Sequence, residues 1–158
     1  MTDLHSKASQ TLARMLDEVT LRALDSKTEM SPAGVIADLD SVQTAVLSDT
    51  AISKRLQLET RRRVAERKLS VLSERSLPFD YIGALLEEVR RLGYTNLDIE
   101  GRIEVIFARY CIREGYKNEA KDVLERLLKR IPEAPPEEEV ALAQMLRDLC
   151  KKLLAELV

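Results

Sequence analysis

Apolar residues in this chain return every three or four positions, segment after segment. Nowhere do they alternate over the four to eight residues that a half-buried strand needs. That period confines the chain to an all-α fold. A first helix runs from about Leu4 to Leu24, with Ala8, Leu12, Met15, Val19 and Ala23 in one stripe. After a polar break at Ser26–Met30, Ser31 and Pro32 read as an N-cap followed by proline at the first helical position, where its missing N–H costs nothing. Val35, Leu39, Val42 and Val46 form the second stripe.

A third helix is expected from about Ala51 to Glu74, capped by Asp49 or Thr50. Ile52 and Leu56 open it and Ala65, Leu69 and Leu72 close it, with the polar run QLETRRR between them. A helix with a polar centre is either solvated there or meets a partner there. The fourth spans about Phe79–Leu92 and ends at Gly93, where a residue of positive φ is wanted. The fifth, about Asp98–Glu114, ends at Gly115, and the sixth, about Asn118–Ile131, ends at Pro132. The last, about Pro136–Leu157, carries Leu142, Leu146, Leu149, Leu153 and Leu157 and begins in an acidic turn suited to the positive end of a helix dipole. About seven helices joined by short connectors imply an antiparallel bundle or short helical array.

A chain of 158 residues is of one-domain length. Residues 1–158 therefore read as a single all-helical domain, in which 1–75 could be an extension from a hairpin region at 79–158. With 45% hydrophobic residues the chain is too apolar for disorder. No stretch approaches the 18 apolar residues of a membrane span, and no basic-then-apolar start suggests a secretory signal. Cys111 and Cys150, far apart in apolar stretches, read as buried free thiols of a cytoplasmic protein.

Charge is unevenly spread. Residues 1–53 carry 4 basic and 8 acidic groups, a net of −4, while 54–75 carry 8 basic and 3 acidic, a net of +5. Lys54, Arg61, Lys68 and Arg75 recur every seven residues and so lie along one slowly drifting helix face. Lys54, Arg61, Arg62, Arg63 and Lys68 are the candidate partner-binding residues. Nucleic acid would want such a stripe, but no aromatic is interleaved for stacking and no groove-reading pattern is present. An acidic protein surface suits it better.

Residues 101–134, GRIEVIFARYCIREGYKNEAKDVLERLLKRIPEA, resemble a single repeat of the tetratricopeptide family, whose helix–turn–helix unit is about 34 residues long. Phe107 and Ala108 match a large-then-small pair, Gly115 falls in the turn, Ala120 at the close crossing, Leu124 and Leu127 at packing positions, and Pro132 ends the unit. Glu104 stands where the family has a large aromatic and Cys111 where it has a tyrosine. The resemblance implies a protein-binding helical hairpin with the last helix as a cap. An ordinary αα-hairpin would share the same pattern.

Catalytic groups are scarce. His5 is the only histidine, so no His-based zinc site can form. There is no Gly-rich phosphate loop and no G-x-S-x-G. The acidic runs Glu87–Glu88 and Glu137–Glu139 place neighbouring carboxylates about 100° apart around a helix, which does not build a shared site. The chain reads as a non-enzymatic interaction module without cofactor or metal: an adaptor, chaperone or regulatory subunit that takes a partner peptide or helix in an interhelical groove. The alternatives are a nucleic-acid-associated regulator using the helix around Arg61–Arg63, and a self-assembling helical protein.

Overall fold

The structure is a computed structural model that describes residues 2–24, 30–48 and 52–158, with side chains from Lys7 onward. Its described residues form seven α-helices: α1 (Thr2–Leu24), α2 (Pro32–Leu47), α3 (Lys54–Leu72), α4 (Phe79–Leu92), α5 (Leu97–Arg113), α6 (Lys117–Arg130) and α7 (Val140–Glu156). A single 3-10 turn, Glu137–Glu139, opens α7, and there is no strand among these residues. The all-α class read from the period is the class observed.

Helix ends follow local chemistry. Ser31 caps α2 by accepting from the Gly34 amide, with Pro32 first in the helix. Gly93 and Gly115 take φ of 84° and 88°, a region that residues with a Cβ avoid. The start of α3 differs from expectation: Ser53 is its N-cap, and its Oγ accepts from the Leu56 amide at 3.1 Å. Asp49, Thr50 and Ala51, the expected start, lie outside the described residues.

The chain gathers into two units, residues 1–93 and 94–158. Thus α4 belongs with α1–α3, and the division falls after Gly93 rather than at the Ser76–Pro78 break. In the first unit, α3 packs against α1, α2 and α4. Its cross-links give the directions. Ser9 donates to Glu59, Arg67 to Asp17, and Arg75 to the carbonyl of Ala23, so α1 and α3 run parallel at an offset of about 50 residues. Lys68 reaches Asp40, and Arg75 also reaches the Met30 carbonyl, which sets α2 antiparallel to α3. Leu12, Leu16, Leu39, Leu56, Leu69, Leu72 and Ile82 fill the core between them.

The polar centre of α3 is covered on one face only: Thr60 is buried, while Leu58 and Arg61 are exposed. Thr60 is 0% exposed and donates its hydroxyl to the Leu56 carbonyl at 2.7 Å, which satisfies that buried polar group. Val64 continues the buried row from Leu56 through Thr60. At Thr60 the helix is turned inward because three helices of its own unit pack against α3, whereas Arg61 keeps the exposed position expected of a polar centre.

In the second unit, α5 and α6 form a hairpin, and α7 packs on both. Arg130 at the end of α6 pairs with Glu100 at the start of α5, so the two are antiparallel. Ala108 and Ala120, both 0% exposed, hold small positions in this hairpin. Gly101 lets α7 approach α5: a Cβ there would lie 2.6 Å from one δ-carbon of Leu146 and 2.7 Å from the other.

Candidate functional site

The five cations singled out from sequence do not form one free patch. Lys54 and Arg61 are exposed on α3. Arg62 is half-buried and donates from Nε to the Leu92 carbonyl at 3.0 Å, which caps the C-terminus of α4. Arg63 pairs with Glu59 one turn earlier at 3.8 Å. Lys68 Nζ sits 2.5 Å from Asp40 Oδ1. Arg67 meets Asp17 and Thr20, so Arg67 and Lys68 each join the basic segment 54–75 to an acidic group of 1–53 inside one unit.

A second cluster lies along α5 and α7, and sequence reading missed it. A groove of about 320 Å³ has Ile112, Leu149 and Leu153 as its floor. Arg109 and Arg113 line it from α5, one helical turn apart, and Lys152 and Glu156 line it from α7. Arg109 and Lys152 are exposed and make no ion pair among the described residues. Arg113 stands 5.6 Å over the Tyr110 ring and donates to Glu114 at 3.1 Å, so it is held in place at the end of α5, where a cation also suits the helix dipole.

The groove lies where the buried face of α7 takes in only part of its leucine stripe. Ala143, Leu146, Cys150 and Leu153 are buried, whereas Leu142, Leu149 and Leu157 sit at the edge, half-buried. Small residues at 143 and 150 turn that face toward the core and bring Leu149 to the surface side. The available signal was the pair of cations Arg109 and Arg113 flanking Ile112, which lies off the stripe Ile103–Ile106–Tyr110.

The remaining chemistry of this unit is quiet. Both cysteines are free and buried. Burial, followed by the charge of Glu119, pushes the Cys111 thiol up to about 12, and burial raises Cys150 as well. Neither is a nucleophile near neutral pH, since the thiolate is the reactive form. Burial, then the neighbouring Tyr116 and Glu114, raises the Tyr110 hydroxyl too. Glu104, 1% exposed, is buried at the position where the tetratricopeptide pattern has a large aromatic. Glu100, also buried, accepts from Arg130, and that hydrogen bond and charge raise the Arg130 guanidinium. No group of three or more His, Cys, Asp or Glu among the described residues could hold a metal, and none of the described helices is long and apolar enough to cross a membrane. The side chain of His5 lies outside the described residues.

Compared with known proteins, the chain matches no family model, no curated protein and no solved structure.

Proposed function

We propose that the protein is a non-enzymatic protein–protein interaction module, and that a partner segment docks in the groove between α5 and α7. The observation that carries this reading is the groove itself: an apolar floor of Ile112, Leu149 and Leu153 beside the exposed cations Arg109 and Lys152. An apolar floor with a charged margin fits one face of an amphipathic helix, whose side chains at i, i+3 and i+4 would fill it. At about 320 Å³ the space lies at the small end of ligand pockets, roughly 300–1,000 Å³, and holds a few inserted side chains. The tetratricopeptide-like pattern supports the same reading, because its positions Phe107, Ala108, Cys111, Ala120, Leu124 and Leu127 are all buried in the α5–α6 hairpin. Two free buried thiols suit a reducing compartment such as the cytoplasm.

The test is fluorescence anisotropy with synthetic helical peptides of one amphipathic pattern whose polar face is acidic, neutral or basic. The acidic peptide should bind, and added salt should weaken it. Leu149→Glu should abolish binding without unfolding the chain, since Leu149 is only half-buried. Failure of all three peptides, or binding indifferent to Leu149, would overturn the reading.

A further inference from the structure

Helix α7 and the turn before it carry opposite charge at their two ends. Glu138 stands seven residues before Met145 and Lys152 seven after it. Ala141 and Leu149 lie four to either side. Seven residues are close to two helical turns, so Met145 and Lys152 fall near one line along α7, and Glu138 stands in the 3-10 turn that leads into the helix. That line faces outward. Glu138, Ala141 and Lys152 are exposed, and Met145 between them is 56% exposed, so an apolar side chain stands at the centre of this line with charge toward either end.

We infer that the occupant of the α5–α7 groove is the α7 helix of a second copy of this chain, laid antiparallel across a two-fold axis at Met145. The inference rests on the groove being a protein-docking site. A two-fold interface is isologous, so each contact occurs twice. Antiparallel pairing centred on Met145 sets Glu138 of each copy against Lys152 of the other and Ala141 against Leu149, with the two Met145 side chains on the axis. Arg109 adds positive charge on the side of the groove that receives the acidic turn. The paired length from Glu138 to Lys152 is about 21 Å of helix, less than a standard interface of roughly 1,600 Å² needs, so the dimer is reversible and depends on concentration.

Charge reversal in the full chain tests this with its own control, read by sedimentation equilibrium from low micromolar to near-millimolar protein. The native chain should approach twice the monomer mass. Lys152→Glu sets four like-charged groups in opposition, and Glu138→Lys does the same with the opposite sign; each variant alone should dissociate at least about tenfold more readily. An equimolar mixture of the two variants should recover the dimer, because each then meets its opposite, and so should the double variant carrying both changes. Oxidised Met145→Cys should form a disulfide-linked dimer, while Asp148→Cys, off the axis, should not. A native chain that stays monomeric while the acidic peptide binds overturns the second-copy occupant and leaves the docking groove standing. A monomer that also binds no peptide overturns both. A dimer indifferent to both reversals, or not restored by mixing, places the interface elsewhere and refutes the inference.

Discussion

Gly101→Ala offers a test of the second unit in which the sign of the effect decides. In a helix interior, alanine in place of glycine normally stabilises by about 0.5–1 kcal/mol. Here the new Cβ would stand 2.6 and 2.7 Å from the two δ-carbons of Leu146 and 3.2 Å from its γ-carbon. Leu146 is itself buried, so its rotation is resisted by the packing around Ile131 and Ala143. Overpacking of this kind costs about 1–3 kcal/mol, which outweighs the propensity gain and leaves a net loss of roughly 0.5–2 kcal/mol. For a unit of this size that is a fall of several degrees in melting temperature. Near-ultraviolet dichroism follows it, with Tyr94, Tyr110 and Tyr116 reporting on this unit. The partner substitution closes the argument. Leu146→Ala alone should cost about 2–5 kcal/mol, but combined with Gly101→Ala it should cost less than the two losses added, since the new methyl enters the space vacated. If Gly101→Ala raises the melting temperature, α7 does not press on α5 at this turn and the packing described is wrong.

Two further outcomes are expected. Arg62→Gln should cost about 1–2 kcal/mol by removing the charged donor on the Leu92 carbonyl, whereas Arg61→Gln, fully outside, should stay within about 0.5 kcal/mol; urea titration of the pair would show equal effects only if Arg62 were free. The thiol of Cys111 is held neutral in the fold up to about 12, against 9.0 for an ordinary thiol, so the unfolded chain loses this proton first as pH rises. Stability from this group is therefore complete below about 9 and lost between about 9 and about 12, and Cys111→Ala should flatten that alkaline decline in denaturation midpoints; an unchanged slope would refute the assignment.

The ends of helices were legible in the residues because they are local. Ser31 with Pro32, Gly93 and Gly115 each act through atoms within a few positions, and the structure uses them as their chemistry demands. The faces of helices were legible only where a helix has one side to bury. Helix α5 meets both α6 and α7, and so buries Glu100, Gly101, Glu104 and Val105 beside Ile103, while Ile99 and Ile106 stay half-buried. Helix α3 meets three neighbours and draws Thr60 inside. Which helices surround another is a long-range property, and a hydrophobic period cannot report it. The same gap hid the groove: Leu146 and Leu149 both look like core, yet Leu146 packs inside while Leu149 stays half-buried at the groove.

The parallel pairing of α1 with α3 has a consequence during synthesis. The groups that fasten α1 along its length, Glu59, Arg67 and Arg75, are each made about 50 residues after the positions they hold. At roughly 5–20 residues per second the ribosome needs about 3–10 s to supply them. Helix α2 can shelter one side of Leu12, Leu16 and Val19 in that interval, but the side that faces α3 waits. A nascent chain of this protein therefore has to wait seconds before its own sequence can cover the α3-facing side of α1.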